Sequence, residues 1–154
     1  IAAGGIYSGQ DIYKILELGA SGVQLGTRFV ATDECDASIE FKNAFIKAKE
    51  EDIRIIKSPV GMPGRTIFNQ FLLEAYDGKR KPDACKYNCI KSCDPKTTMY
   101  CIADALISAY RGKLTNGFVF TGANAGLVSK ISTVSNVFAE LSDEYQNYKL
   151  LDNK

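Results

Sequence analysis

The 154-residue chain contains no histidine, so it lacks both the side chain that most often moves protons near neutral pH and the commonest metal-binding ring. No stretch approaches the ~18 consecutive apolar residues of a membrane span, and no secretory-leader pattern opens the chain. Charge of neither sign is in excess. With 19 Lys and Arg against 18 Asp and Glu, the formal net charge is +1, which gives no electrostatic reason to expect nucleic acid or a membrane as a partner. Internal repeats, low-complexity tracts and long linkers are also missing. At 45% hydrophobic and 24% charged residues, the composition is that of a soluble folded protein with a core to bury.

The strongest positive signal is a pair of glycine-bearing segments, Ile1-Ala2-Ala3-Gly4-Gly5-Ile6 and Val23-Gln24-Leu25-Gly26-Thr27-Arg28-Phe29. Each runs apolar like a buried parallel strand and then breaks at glycine, where a backbone without side chains lets N–H groups approach an anion. Between them Ser8 is placed as an N-cap with Asp11 three residues on, Ile12, Ile15 and Leu16 recur at helical spacing, and Gly19 is the stop. A strand, a helix and a second strand predict one parallel βα repeat, with the glycines at the carboxyl strand ends where α/β folds bind ligands. Two ordinary tight turns would explain the glycines equally well. Arg28 reads either as an extra cation for the anion or, from the alternation of a strand, as an outward or structurally paired residue.

Further along, a helix is expected near 36–49 with Ile39, Phe45 and Ile46 on one face, and a strand at Ile53-Arg54-Ile55-Ile56 ended by Pro59. Val60-Gly61-Met62-Pro63-Gly64 reads as a loop able to fold over a cofactor. Arg65 then opens a helical run with Ile67, Phe68, Phe71 and Leu72, with Arg65 and Asn69 either contacting substrate or pyridine nucleotide or serving as a salt bridge and a surface amide. Tyr100 to Tyr110 predicts an amphipathic helix ending near Gly112, and Phe118-Val119-Phe120 a short strand. Thr121-Gly122-Ala123-Asn124 is a loop that touches a cofactor or only turns the chain. Ser132 or Thr133 starts a last helix burying Val134, Val137, Phe138 and Leu141, and the polar tail from Ser142 is expected to fray.

Between Gly78 and Cys101 the character changes. Lys79-Arg80-Lys81-Pro82 precedes Cys85, Cys89, Cys93 and Cys101, a C-x3-C-x3-C-x7-C spacing on a basic segment with little apolar content. Four thiols so close together predict thiolate ligation of a tetrahedral zinc or an iron–sulfur cluster, against reduced, unligated thiols or an adventitious disulfide. The spacing matches no standard signature, and no CxxC pair is present. Cys35 stands apart and reads as packing. Five cysteines beside an anion cradle argue for a reducing, cytoplasmic compartment over a secreted disulfide scaffold.

In its motifs the chain resembles the FMN-dependent nitronate monooxygenases, formerly called 2-nitropropane dioxygenases. Ala2-Ala3-Gly4-Gly5-Ile6 and Leu18-Gly19-Ala20 through Phe29 are similar to the last two barrel strands of that family, whose barrel and motifs the flavin-dependent enoyl-acyl-carrier-protein reductases share. Ala31-Thr32-Asp33-Glu34-Cys35 resembles an acidic turn of the family, Gly64 to Asn69 its Arg-x-x-x-Asn segment, and Thr121 to Leu127 its glycine-rich C-terminal stretch. The likeness fades between Gly78 and Lys96.

That resemblance implies an α/β fold, the C-terminal part of a (β/α)8 TIM barrel with a helical, cysteine-containing C-terminal extension. Residues 1–77 would form the last strands and helices of the FMN-binding barrel, 78–101 a cysteine-rich insertion, and 102–154 C-terminal helices packing on the barrel. FMN is the implied cofactor, its phosphate held by Gly4, Gly5, Gln24, Leu25, Gly26 and Thr27. Since such a barrel takes ~250 residues, upstream polypeptide of the same barrel is expected to cover the strand edges and to carry the catalytic base, a histidine in the family. The expected function is FMN-dependent oxidation of small alkyl nitronates. An NAD(P)H-dependent enoyl-acyl-carrier-protein reductase is the alternative, and a non-flavin phosphate-binding barrel module the alternative of another class. Homo-oligomerisation is left open.

Overall fold

The computed structural model describes residues 1–82, 84–91 and 93–152. Strand β1 (Ala2–Ala3) pairs in parallel with β2 (Val23–Gln24), Ala2 opposite Val23 and Ala3 opposite Gln24. Helix α1 (Gly9–Glu17) makes the crossover. Its start is the expected one: the Ser8 hydroxyl accepts the Asp11 N–H at 3.1 Å while the Asp11 carboxylate accepts the Ser8 and Tyr7 N–H groups at 2.9 and 3.0 Å, which satisfies orphan donors reciprocally. Gly19, at φ 97°, follows the Leu18 cap. The second strand is shorter than its apolar run suggested. At Gly26 the backbone turns helical, and Thr27–Val30 form the single-turn helix α2.

The next elements are α3 (Ile39–Lys47), a 3-10 turn at Glu50–Asp52, β3 (Ile53–Lys57), β4 (Pro63–Ile67), α4 (Gln70–Tyr76), α5 (Ile102–Tyr110), β5 (Val119–Phe120), a second 3-10 turn at Ala125–Leu127 and α6 (Val134–Asp152). Helix α3 starts later than expected because Ser38 is its N-cap, accepting the Phe41 N–H at 3.2 Å. Strands β3, β4 and β5 form an antiparallel sheet in that order. Arg65 therefore does not open a helix. It lies in β4 opposite Ile55, and the helix begins only after Asn69, whose Oδ1 accepts the Leu72 N–H at 3.2 Å. Ile67 and Phe68 mimicked a helical stripe, but a ladder to both β3 and β5, with Thr66 fully buried between them, outweighs local periodicity.

Two apolar clusters hold these pieces. Ile56, Phe71, Leu72, Ala75, Tyr100, Ala105 and Phe118 form one, with Tyr100 edge-on to Phe71 and Phe118 at 5.4 and 5.5 Å. Ala31, Phe45, Ala109, Val119, Ala125 and Val128 form the other. Because α5 contributes to both, through Ala105 and Ala109, and the adjacent Phe118 and Val119 fall one in each, the residues after the cysteine segment share their core with those before it.

Helix α6 departs from the expected fraying. It runs 19 residues to Asp152 and lies along α1, where Tyr13 packs on Tyr145 and Tyr148 with ring centroids 5.7 and 5.4 Å apart. The Tyr13 hydroxyl donates to Asp152 at 3.1 Å, and Glu144 accepts the Gly9 N–H at 2.7 Å. Val137 and Leu141 are buried as expected, whereas Phe138 is 59% exposed, its ring centroid 5.4 Å from that of Phe29. Among the described residues no helix is long and apolar enough to cross a membrane.

The α1–α6 seam tolerates no side chain at Gly9, since an added Cβ would collide with the backbone of Leu141 and Tyr145. Gly9→Ala should lower unfolding stability by roughly 1–3 kcal/mol through overpacking, read as a shifted denaturant midpoint at unchanged slope. The same helix has an acid-sensitive start. Desolvation raises the Asp11 carboxyl, but the bonds it accepts from Ser8 and Tyr7 outweigh this and hold it below the ordinary carboxylate value. A carboxyl lowered on folding contributes stability that is complete above the unfolded pKa of ~3.9 and is lost as pH falls through the folded value. Asp11→Asn should therefore be less stable than the native chain at pH 6 and approach it below pH ~4, as thermal melts across that range would show.

Candidate functional site

The two glycine segments come together because β1 and β2 are hydrogen-bonded neighbours, so Gly4 and Gly5 lie just beyond one strand and Gly26 just beyond the other. Gly4 and Gly5 have φ of 86° and 73°, left-handed backbone that disfavours any side chain. An added Cβ at Gly4, Gly5 or Gly26 would meet nothing within 4 Å, so the space over these residues is open. Among the described residues no acceptor takes the Gly5 or Gly26 N–H. Open space beside unclaimed backbone donors at parallel strand ends is what an anion needs.

Thr27 adds a hydroxyl with a set direction. Its Oγ1 accepts the Gly122 N–H at 2.9 Å, which leaves its own proton to be donated elsewhere. Gln24 and Leu25 sit differently. Both residues line an open groove of about 490 Å³ with Val23, Phe29, Leu141 and Tyr145. Arg28 does not reach over the glycines: it pairs with Glu140, and its guanidinium lies 4.6 Å from the Tyr7 ring centroid. Lys130 also binds Glu140 at 3.0 Å, and first this bond and then Arg28 hold the Glu140 carboxyl below its ordinary value.

The cradle is completed from a distance. Besides the Gly122–Thr27 bond, the Asn124 side chain donates to the Gly5 carbonyl at 3.0 Å, so the Thr121-Gly122-Ala123-Asn124 loop docks directly on both glycine turns. The sequence alone does not decide between these roles for the loop. Its one signal is Asn124 beside two small residues, a combination that fits a backbone at close range. The acidic turn serves the last helix, because both Glu34 carboxylate oxygens accept the Val134 N–H, at 2.9 and 3.0 Å, and cap α6.

Arg65 is exposed on β4 and makes no ion pair among the described residues. Asn69 is structural rather than a surface amide, since beyond capping α4 it donates to the Gly117 and Leu114 carbonyls at 2.8 and 3.2 Å. The loop at residues 60–64 is the β3–β4 hairpin turn with its first strand residues, and Met62 is 69% exposed.

Cys85, Cys89, Cys93 and Cys101 line one small cavity. Cys85 and Cys89 are exposed, Cys93 and Cys101 half-buried. Desolvation, and after it the neighbouring thiols of Cys85, Cys89 and Cys101, raise the Cys93 thiol. The expectation that these four cysteines bind one metal is not met by a ready-made site: among the described residues, no three Cys, Asp or Glu side chains stand close enough to hold an ion. The described part of the segment between α4 and α5 has no helix or strand to aim the thiols. Cys35, the last residue of the acidic turn, is half-buried.

Glycine turns at the carboxyl ends of paired parallel strands are where α/β folds commonly place a phosphate. Similarity to known proteins narrows this. A family model described as nitronate monooxygenase matches residues 1–144, and the chain belongs to the nitronate monooxygenase family. It is 40% identical over 79 residues to a probable nitronate monooxygenase of Staphylococcus saprophyticus, covering 50% of this chain and 22% of that protein. A probable nitronate monooxygenase of Staphylococcus aureus is 41% identical over 80 residues, 51% of this chain and 22% of its own length. Among solved structures, FabK from Thermotoga maritima superposes with a TM-score of 0.77 at 26% identity over 99% of this chain and 46% of FabK. Nitroalkane oxidase from Streptomyces ansochromogenes superposes at 0.72 with 24% identity, over 97% of this chain and 40% of that one, a likeness of fold alone.

The Thr27–Gly122 bond can be tested without any ligand. Thr27→Val removes the acceptor while keeping the shape, so the Gly122 amide should lose protection from hydrogen exchange and the chain roughly 1 kcal/mol of stability. Unchanged exchange at Gly122 would show that the loop is held by other contacts.

Proposed function

We propose that this chain supplies the FMN-phosphate end of a (β/α)8-barrel oxidoreductase that oxidises alkyl nitronates. Family membership supports the reaction class. The observation that carries the cofactor reading is Gly26, whose φ of −110° is open to any residue and whose missing side chain leaves empty space. Neither backbone conformation nor packing asks for glycine there, while a phosphate close to the main chain does. In this reading the main chain of Gly4, Gly5, Gln24, Leu25 and Gly26 and the Thr27 hydroxyl hold the phosphate, with no carboxylate among them. Bound flavin supplies the two-electron redox chemistry. These residues anchor and orient it, and the Gly122–Asn124 loop keeps the two glycine turns at fixed separation. With no histidine in the sequence, we assign the substrate-deprotonating base to the part of the barrel outside these residues.

The likeness to FabK favours a second reading, an NAD(P)H-dependent enoyl-acyl-carrier-protein reductase, in which the same phosphate site serves a different electron donor. A barrel that binds a phosphate without flavin is the third. Two measurements on the full protein separate them. Gly26→Val should lose bound flavin at least tenfold while its melting temperature stays within a few degrees, since a Cβ there has no neighbour within 4 Å; full flavin retention would place the phosphate elsewhere. In anaerobic mixing, an alkyl nitronate should bleach the flavin and NADH should not. Reduction by NADH with turnover of an enoyl thioester reverses the order of the first two readings, and a colourless protein that takes up no FMN leaves the third.

A further inference from the structure

We propose that Cys85, Cys89, Cys93 and Cys101 close on a single zinc ion that fastens the segment between α4 and α5 to the rest of the molecule. Three observations carry this independently of the flavin reading. The first is convergence: four cysteines spread over an irregular stretch line the same cavity, together with Pro82, Ile90 and Ile102. Buried structural cysteines have no reason to gather in this way.

The second is a backbone already turned toward sulfur. Asn88 has φ 45°, a left-handed conformation uncommon for a side chain that bears a Cβ, and its N–H donates to the Cys85 Sγ at 3.3 Å. A peptide N–H directed at a sulfur stabilises the thiolate over the thiol, the form that ligates metal. The third is size. The cavity holds about 20 Å³, room for one water-sized sphere, which needs ~10–15 Å³. That suits one tetrahedral ion at Zn–S distances of roughly 2.3 Å and not a cube of four irons and four sulfides.

As they stand the thiols do not meet at ligating distance, and the proposal is that they do so on binding. The described residues between α4 and α5 belong to no helix or strand ladder that would oppose such a closure. Binding is a ligand exchange without oxidation: thiol protons pass to solvent, four thiolates replace the water on the ion, and the complex carries a net charge of about −2. Lys81, Lys86, Lys91 and Lys96, all exposed, lie in the same stretch of sequence and oppose that charge in sign. The segment has a use for such a fastening. Before Met99 and Tyr100, which pack into the first apolar cluster, its described side-chain anchors to neighbouring elements include Arg80 to Glu74 at 2.7 Å, Arg80 to Asn116 at 3.3 Å and Tyr87 to Asp104 at 3.2 Å.

The test uses the full protein, purified anaerobically without chelator, with zinc and iron measured by elemental analysis and flavin by its visible spectrum. About one zinc per chain is expected, together with resistance of the Lys79 to Lys96 stretch to trypsin. Cys89→Ser, at an exposed position that leaves the core alone, should lose the zinc and be cleaved in this stretch at least tenfold faster while keeping its flavin. Zinc chloride added to chelator-stripped protein should restore protection to the native sequence and not to the variant. Four titratable free thiols with less than about a tenth of an equivalent of zinc and no uptake, a disulfide among the four, or iron with cluster absorption would each overturn the proposal. Loss of flavin from the native protein with zinc retained would count against the flavin reading alone.

Discussion

The hydrogen bond from the Gly122 N–H to the Thr27 hydroxyl spans 95 residues, and the geometry of the glycine cradle depends on it. Strands β1 and β2 contribute two residues each, far fewer than an isolated pair needs to persist in water. Their separation is kept by what docks on them. The loop after β5 contributes two bonds, one to each glycine turn, and it is itself carried by the β3–β4–β5 sheet, where the Thr121 N–H donates to the Arg65 carbonyl at 2.8 Å. Positioning of the cradle thus passes through the second sheet. This is why the elements around the cysteine segment share a core with the first part of the chain.

The same logic of distant closure recurs at the helix ends. The Gly9 N–H at the start of α1 is taken by Glu144 of α6, and the Val134 N–H at the start of α6 is taken by Glu34. Each helix thus begins on a carboxylate supplied from elsewhere in the chain, placed where the helix dipole favours negative charge. Because Tyr13 stacks between the same two helices, α1 is held at its start by charge and along its length by aromatic packing. These contacts fix where the crossover helix between β1 and β2 lies against α6.

Features set by local chemistry were legible in the sequence. The Ser8 and Asp11 capping box, the parallel β1–β2 pair, β3, α5 and β5 follow from caps, glycines and apolar period, all of which act within a few residues. Features set by partners far along the chain were not. Arg65 looked helical because Ile67, Phe68, Phe71 and Leu72 fall at helical spacing, yet its partners Ile55 and Thr121 lie outside any local window. The tail after Ser142 looked loose because its polar residues do not show that Tyr145, Tyr148 and Glu144 have α1 to meet. In the candidate site, Gly4, Gly5, Gly26 and Thr27 were visible as motif residues, whereas Gly122 and Asn124 had significance only once the fold returned them to the cradle.

Gly26 separates a site from a turn. A glycine in a regular element costs roughly 0.5–1 kcal/mol relative to alanine through the entropy of the unfolded chain, so a glycine that persists has a structural reason or a ligand. Elsewhere in the chain the reason is visible: a left-handed φ, as at Gly5, or a close neighbour, as at Gly122, where a Cβ would press on Thr27. Only Gly22 and Gly26 have neither. Gly22 precedes β2, at the end of the strand away from the cradle, and its carbonyl accepts the Ala2 N–H at 2.9 Å. Gly26 follows β2, on the side where Gly5 and the Thr27 hydroxyl also lie. The open space over it answers to nothing inside the chain, and a group that fills it must be small enough to approach the main chain and able to accept its hydrogen bonds. A phosphate meets both conditions.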